Sequence, residues 1–203
     1  CEAYPLNQEP SGIFAHNPEP APQNLEQLSN LVKDKGADIG FAVDPDVDRL
    51  AIVDENGQPL GEEYTVTLAV KFILSQIKTD VVVNLSTTRA VEDVAHQAGV
   101  QCFRTPVGEI HVAKKMLAIN SAIGGEGNGG VILPDIHPGR DAPVALSLTL
   151  QALLEQSGTI SELHGMLPRY VITKKKIRID HKEPDVILKQ FKKNHQQEKM
   201  DLT

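Results

Sequence analysis

The feature that most constrains this sequence is an alternation of short aliphatic runs with amphipathic helical segments between residues 81 and 153. The aliphatic runs are rich in valine and isoleucine, which favour strands, and glycines or polar residues separate them from the helical segments. Predicted strands cover residues 81–85, 100–103, 122–123 and 131–133, and predicted helices cover 90–98, 112–117 and a segment capped by Asp141. This order predicts the α/β class, with mixed, mainly parallel sheets flanked by helices.

The first 80 residues are predicted to contain two helices and two strands. Asn24 is a candidate N-cap for a helix whose apolar residues recur at helical spacing until Gly36. Strands are predicted at 39–43 and 50–53, interrupted by an acidic segment, and a further helix is predicted from Gly61 onward. Residues 1–24 are rich in proline and predict irregular, extended chain.

Composition excludes several classes of protein. The net charge of −7 argues against a nucleic-acid partner, because such proteins usually present a basic surface. No apolar run is long enough to cross a bilayer, and no signal peptide is visible, so no membrane partner is predicted. The two cysteines, Cys1 and Cys102, cannot build a disulfide framework, and we expect a reducing, cytoplasmic location.

Three domains are predicted, at residues 1–60, 61–168 and 169–203. The last begins where lysines cluster at 174–176, ahead of a predicted strand at 177–179 and a basic helix at 184–193. A basic cluster on an acidic chain is most simply a solvated face. The chain opens at Cys1 in a loop-like stretch and stops after a lysine-rich helix, so we expect a piece of a longer protein.

The strongest chemical signal is the segment 44–49 (DPDVDR), which lies between two predicted strands. Asp44, Asp46 and Asp48 occupy alternate positions and can converge on one hard cation, for which Mg²⁺ is the natural candidate. Arg49 follows them directly and can bind a phosphate with two parallel hydrogen bonds. A solvated acidic turn is the alternative for a D-x-D-x-D pattern taken alone.

Two other known acidic motifs fit this segment less well. An EF-hand loop would need Gly where Arg49 stands and helices rather than strands on both sides. A haloacid-dehalogenase-like phosphatase would use Asp44 as nucleophile in a D-x-D-x-[TV] pattern, but Asp48 stands at the Thr/Val position. No later acidic pair of the G-D-x-x-x-D kind follows.

Further signals follow other predicted strands. The glycine-rich segment 124–130 (GGEGNGG) is predicted to be a loop whose Glu126 and Asn128 suit sugar hydroxyls, although a flexible turn explains the glycines alone. It lacks the G-K-[ST] ending of a P-loop. The segments 87–89 and 104–109 also follow strands, and the carboxyl ends of strands gather ligands in open α/β sheets. We therefore expect all four segments to face one cleft.

Together these segments resemble the α-D-phosphohexomutase family, which includes phosphoglucomutase, phosphomannomutase and phosphoglucosamine mutase. Residues 44–49 match its metal loop D-G-D-x-D-R, with Pro45 in place of Gly. Residues 125–130 match its sugar loop G-E-x-S-G-H, with Asn128 for Ser and Gly130 for His, and residues 105–109 match T-x-V-G-[DE]. Residues 12–20 resemble the proline-rich stretch before the metal loop, but Ala15 stands where the family's phosphoserine segment has Ser before His, so His16 receives no catalytic role.

The resemblance implies a phosphohexomutase that moves phosphate between C1 and C6 of a hexose phosphate through a phosphoserine and a bisphosphate intermediate. It implies Mg²⁺ at Asp44, Asp46 and Asp48. It also implies substrate contacts, which it assigns to Arg49, Thr105, Glu109, Glu126 and Asn128. The catalytic phosphoserine and the last domain's phosphate clamp would lie on other parts of the same protein. A phosphatase of the haloacid-dehalogenase type, or a non-catalytic module that binds phosphosugars or metal, are the alternatives.

Overall fold

The computed structural model describes residues 2–171 and 183–195, and the contacts within the chain divide it into two units, Cys1–Tyr170 and Val171–Thr203. The elements of the first unit, in chain order, are a 3₁₀ turn (Pro22–Asn24), α1 (Glu26–Lys35), β1 (Ile39–Val43), β2 (Leu50–Asp54), α2 (Glu62–Gln76), β3 (Val81–Asn84), α3 (Ala90–Gln97), β4 (Cys102–Thr105), α4 (Glu109–Ile119), β5 (Ile123–Glu126), β6 (Gly130–Leu133), β7 (His137–Arg140), α5 (Ala142–Gln156) and α6 (Ile160–Gly165). In the second unit the structure describes α7 (Pro184–Asn194). The predicted strand at 177–179 lies outside the described residues.

The larger sheet has the strand order β4-β3-β5-β6-β7. Its β3 is central and parallel to both β4 and β5, whereas β5, β6 and β7 form an antiparallel meander. All four residues of β3 are buried, as expected for a strand covered on both faces, and α2 and α4 both contact the sheet. The α/β class with a mixed sheet flanked by helices is thereby confirmed.

The smaller sheet pairs β1 with β2 in antiparallel register, Ile39 opposite Asp54. Its strand β2 is buried at every position, and Leu50 and Ile52 belong to the same apolar cluster as Val66 and Val70 of α2. The Leu50 backbone N–H also donates to the Gly129 carbonyl at 3.0 Å. These contacts fix the end of the acidic segment against the β5–β6 hairpin of the larger sheet.

Three local predictions require correction. The helix α1 begins at Glu26 with Leu25 as N-cap and no side-chain cap, while the Asn24 amide instead donates to the Glu19 carbonyl at 2.8 Å. The predicted glycine loop at 124–130 is mostly strand, and only residues 127–129 connect β5 to β6. Strand β7 was not predicted, because its sequence, HPGR, contains proline and glycine and lacks β-branched residues.

Other boundaries follow the sequence closely. Asp141 caps α5 as predicted, because its carboxylate accepts a hydrogen bond from the Val144 backbone N–H at 2.9 Å. Asp141 directly follows β7, so the cap also fixes the position of Arg140 at the end of that strand. This arrangement places Arg140 beside the segment that the sequence identifies as a metal loop.

Candidate functional site

The acidic segment forms a tight connection between β1 and β2. Each of Asp44, Asp46 and Asp48 offers a carboxylate oxygen, and these oxygens lie within 4.8 Å of one another. Between them Val47 adopts a left-handed conformation with φ of 58°, which a β-branched residue rarely does and which costs about 1–3 kcal/mol. Its carbonyl accepts a hydrogen bond from the Ala142 N–H at 3.2 Å, so the start of α5 holds the strained turn in place.

Asp44 is the anchor of this segment. Its side chain is fully buried, and Oδ1 accepts hydrogen bonds from the backbone N–H groups of Asp48 and Arg49 at 3.1 and 3.0 Å. Oδ2 accepts from Nε of Arg49 at 2.6 Å. Burial opposes ionisation, but the hydrogen bonds from Arg49 outweigh it and hold the pKa of Asp44 below its ordinary value.

Asp48 has the opposite electrostatic environment. Burial raises the pKa of Asp48 to about 6, and the neighbouring Asp44 and Asp46 carboxylates add to that rise against the opposing charge of Arg140. Within the described part of the chain, the buried Oδ1 of Asp48 has no hydrogen-bond partner. A buried carboxylate oxygen without a donor is costly, and a cation at the trio would satisfy it. Three carboxylate oxygens so close together therefore fit a hard cation such as Mg²⁺.

Arg49 lies between the acidic segment and the proline-rich stretch. In addition to its bond to Asp44, its Nη1 and Nη2 donate to the two carboxylate oxygens of Glu19 at 2.5 and 3.3 Å. Glu19 belongs to the irregular, proline-rich stretch, so this pair joins that stretch to the acidic segment. Nε of Arg49 also lies 3.7 Å from Oδ1 of Asp48, so the guanidinium that the sequence assigns to a phosphate pairs with three carboxylates in this structure.

Glu126 ends β5 and is almost completely buried. Its Oε1 accepts hydrogen bonds from the Asn84 side-chain amide at 2.6 Å and the Gly108 backbone N–H at 3.2 Å. Its Oε2 accepts from Nη1 of Arg140 at 2.7 Å. The carboxylate is therefore fixed by groups from β3, β7 and the loop before α4.

The hairpin after Glu126 is held by short polar contacts. The Gly127 N–H donates to Oγ1 of Thr87 at 2.9 Å, and the Gly130 N–H donates to Oδ1 of Asn128 at 3.2 Å. At Gly124 the strands approach so closely that a Cβ atom would lie 2.3 Å from the Val82 carbonyl oxygen. Glycines in this region therefore serve close backbone packing of β5 as well as a turn.

Of the other predicted residues, one joins the hydrogen-bond network around Glu126 and two make local contacts. Glu109 begins α4, and its Oε1 accepts a hydrogen bond from the Arg140 backbone N–H at 2.6 Å. Thr105 is buried, and its hydroxyl donates to the adjacent Pro106 carbonyl at 3.1 Å. Arg89 is largely exposed and pairs with Glu92 at 3.5 Å. Glu109 therefore joins the network through Arg140, whereas these contacts of Thr105 and Arg89 are local.

Arg140 is the central residue that the sequence reasoning missed. Its guanidinium donates to Asp48 through Nη2 and to Glu126 through Nη1, and its Nε lies 3.6 Å from Oε2 of Glu109. It therefore connects the acidic segment, the hairpin and the start of α4. No motif contains it, but a count of charges would have raised the question, because five predicted site carboxylates faced Arg49 as their single predicted cation.

No helix within residues 2–171 and 183–195 combines the length and the apolar character that crossing a membrane requires.

Comparisons with known proteins identify relatives of this chain. Residues 61–170 match the family model described as Phosphoglucomutase/phosphomannomutase, alpha/beta/alpha domain III, and residues 1–57 match the one described as domain II. A phosphoglucomutase/phosphomannomutase of Thermococcus kodakarensis is 35% identical over 191 residues, which are 93% of this chain and 42% of the relative. A probable phosphoglucosamine mutase of Methanopyrus kandleri is 33% identical over 190 residues, which are 92% of this chain and 42% of that relative.

Among solved structures, a phosphomannomutase-like protein of Thermus thermophilus is similar with a TM-score of 0.70 and 25% identity. The similarity covers 74% of this chain and 35% of that one. The chain thus spans about two fifths of the length of the curated relatives it matches.

Proposed function

Because the chain belongs to the phosphoglucomutase/phosphomannomutase family, we propose that it is part of a phosphohexomutase that moves phosphate between C1 and C6 of a hexose phosphate. The observation that carries the proposal is the single network in which Arg140 joins Asp48 of the acidic trio to Glu126 of the hairpin. A mutase of this kind needs a cation site and a carbohydrate site side by side. Arg140 places the two candidates within the span of one guanidinium group.

In this proposal Asp44, Asp46 and Asp48 hold Mg²⁺, and Arg49 contributes to orienting phosphate. The bound ion would offset negative charge on a phosphoryl group in transfer. The fixed position of Asp44 supports the assignment, because its hydrogen bonds with Arg49 keep it ionised and immobile. The Oδ1 atom of Asp48, which among the described residues has no hydrogen-bond donor, also supports the assignment.

Glu126 is proposed to bind sugar hydroxyls. A carboxylate oxygen can accept about two hydrogen bonds. Oε1 already accepts two from Asn84 and Gly108, whereas Oε2 accepts one from Arg140, so the geometry favours Oε2 as the acceptor for a hydroxyl. Asn128 at the tip of the hairpin would tune the choice of sugar, and Thr105 and Glu109 are proposed as additional contacts.

The rest of the reaction is proposed to require other parts of the same protein. The nucleophilic phosphoserine and a phosphate clamp would come from domains beyond this chain, with residues 1–60 and 61–168 as two central domains and 169–203 as the start of another. We therefore expect the 203-residue chain alone to show no isomerisation of glucose 1-phosphate by ³¹P NMR. A cytoplasmic location is part of the same proposal.

The phosphatase alternative fits the structure less well. It would make Asp44 the nucleophile, which must present a carboxylate oxygen to phosphate. Here the Asp44 side chain has no exposed surface, and its two oxygens accept three hydrogen bonds from Asp48 and Arg49. The geometry therefore argues against a nucleophilic role for Asp44 and favours one in holding the acidic segment in shape.

The proposal is tested on the full-length protein with glucose 1-phosphate, mannose 1-phosphate and glucosamine 6-phosphate, each followed by ³¹P NMR in the presence of Mg²⁺. We expect isomerisation of at least one of them, and a fall of about 10²-fold in kcat/KM for Glu126→Gln, because the substrate would lose its orienting carboxylate. Glu92→Gln, which changes a carboxylate paired with Arg104 outside the network, is the matched control and should retain activity. Release of inorganic phosphate without isomerisation would contradict the proposal.

A further inference from the structure

The network contains more acidic than basic groups. Two guanidinium groups, those of Arg49 and Arg140, face six carboxylates, which are Glu19, Asp44, Asp46, Asp48, Glu109 and Glu126. Arg49 is bound to Asp44 and Glu19, and its Nε lies 3.7 Å from Oδ1 of Asp48. Arg140 is the cation that contacts both the trio and Glu126.

The guanidinium of Arg140 contacts both halves of the site, the aspartate trio and the hairpin carboxylate. Nη2 donates to Oδ2 of Asp48, and Nη1 donates to Oε2 of Glu126 at 2.7 Å. Its side chain retains 18% of its accessible surface, as does that of Asp48, so solvent screens this pair only weakly. A change in the charge of Asp48 therefore changes the strength of its ion pair with Arg140. Through Arg140 it also changes the ion pair with Glu126.

Gly130 provides the space for this side chain. A Cβ atom at Gly130 would lie 2.2 Å from Cδ and 2.9 Å from Cγ of Arg140, so any larger residue would displace the arginine. Residue 130 is also the position at which the family's sugar-loop pattern has His. Arg140 can therefore occupy the site only because residue 130 has no side chain.

We propose that Arg140 is a positioning residue that competes with the divalent cation for Asp48 and so couples the aspartate trio to Glu126. This inference rests on the cation site in the proposed function. Without the cation, Arg140 donates to Asp48 and compensates its charge together with the more distant Arg49. A cation at the trio would neutralise that charge and repel Arg140, which would then keep only its present contacts with Glu126 and Glu109.

The coupling has a direct consequence for the sugar-binding carboxylate. A cation at the trio strengthens the hold of Arg140 on Glu126, and loss of the Glu126 charge strengthens the hold of Arg140 on Asp48. Cation binding therefore fixes Glu126 for hydroxyl binding. Loss of the Glu126 charge, in contrast, weakens the binding of the cation. Two sites with no direct contact therefore influence each other through one guanidinium group.

The test is calorimetric titration of the 203-residue chain with Mn²⁺ alone, chosen as a spherical divalent ion that oxygen ligands accept. Arg140→Gln should bind Mn²⁺ more tightly, with a decrease in Kd on the order of tenfold, because a competing positive charge is gone. Arg140→Lys keeps the positive charge, so its Kd for Mn²⁺ should remain nearer to that of the unmodified chain. Arg89→Gln is the control, since it also removes one positive charge but Arg89 is exposed and pairs locally with Glu92, and it should leave Kd unchanged.

Two further variants separate coupling from a purely structural role. Glu126→Gln should weaken Mn²⁺ binding in the unmodified chain and have little effect in the Arg140→Gln background, because the coupling passes through Arg140. Gly130→Ala keeps every charge but displaces Arg140, and should tighten Mn²⁺ binding as Arg140→Gln does. Because Gly130 is a strand residue and the displaced atoms belong to a flexible side chain, this variant keeps the test available if Arg140→Gln does not fold.

The unmodified chain gives an independent measurement. Titration with Mg²⁺ should shift the side-chain Nε–H resonance of Arg140 and leave that of Arg104 in place. If the chain binds Mn²⁺ but the Arg140 and Gly130 variants have the same Kd, the coupling is wrong and the cation site stands. If the chain binds no divalent ion, both the cation site and the coupling are overturned.

Discussion

The acidic segment and the glycine hairpin each bury a carboxylate, and they do so in opposite ways. Glu126 in the hairpin accepts three hydrogen bonds from the protein, so its charge is compensated without a ligand. Asp48 in the acidic segment keeps a buried oxygen without a donor among the described residues, and burial raises its pKa to about 6. The comparison indicates that the hairpin is preorganised, whereas the acidic segment, in our proposal, needs a cation to complete it.

The largest effect is expected where the hairpin depends on backbone packing. Gly124→Ala places a Cβ atom 2.3 Å from the Val82 carbonyl, so β3 and β5 must separate. We expect a loss of about 3 kcal/mol in the free energy of unfolding, measured with urea. Gly165→Ala is the control, because a Cβ atom there meets nothing within 4 Å. A loss below about 1 kcal/mol for Gly124→Ala would show that the hairpin is not held by close packing.

A smaller loss is expected when Glu126 is deprived of one donor. Asn84→Ala removes the 2.6 Å hydrogen bond to Oε1 and also the acceptor for the Thr87 hydroxyl, so it should cost about 2 kcal/mol of unfolding free energy. Asn30→Ala changes an exposed residue of α1 and should stay within about 0.5 kcal/mol. Equal losses for the two variants would remove the evidence that the hairpin carboxylate is preorganised.

In the acidic segment, stability should depend on a bound cation rather than on a hydrogen-bond donor. We expect about 10 mM Mg²⁺ to raise the unfolding free energy of the chain by about 1 kcal/mol, because the ion binds the folded state and binds it weakly without phosphate. Asp48→Asn should abolish this increase, whereas Asp135→Asn, a change outside the trio, should preserve it. A Mg²⁺ effect that survives in Asp48→Asn would place the stabilising ion elsewhere.

His164 shows a third way of burying an unsatisfied group, by keeping it uncharged. Its Nε2 has no hydrogen-bond partner in the described part of the chain, and its ring packs edge-on against Tyr64. Burial, with the nearby charge of Arg169, lowers the pKa of His164. The unfolded chain therefore takes up this proton at a higher pH than the folded chain, and stability should fall as the pH drops below about 6.5.

His164→Phe keeps the aromatic contact and removes the titration, so it should reduce the loss of stability between about pH 7 and pH 5 in urea denaturation. His111→Phe, on the exposed side of α4, should retain that loss. The same pH dependence in the His164→Phe variant would mean that another group is responsible.

Much of the fold followed from local patterns in the sequence. The valine run of β3 and the capping residue Asp141 act through nearest neighbours, and the structure confirms both. Asn24 was a wrong N-cap because its amide finds the Glu19 carbonyl instead, and no sequence rule distinguishes the two partners. Glycines at 124 and 125 resemble loop residues in the sequence, although close pairing of β5 requires them.

The site was predictable only in part, because Arg140 reaches it through tertiary structure. Asp48 and Arg140 are 92 residues apart in the chain and meet only once β2 packs on the hairpin and β7 returns beside it. Neither strand β7 nor its arginine carries a local signal. The metal and substrate roles of the motif residues remain predictions that the variants above can test.

The central claim is that the acidic trio and the glycine hairpin share one site, and paramagnetic broadening by Mn²⁺ tests it most directly. Substoichiometric Mn²⁺ is added to the ¹⁵N-labelled chain, and amide signals are followed in a two-dimensional spectrum. We predict that signals of residues 44–49, 126–130 and Arg140 broaden first and together. Broadening confined to residues 44–49, or centred on another part of the chain, would contradict the account.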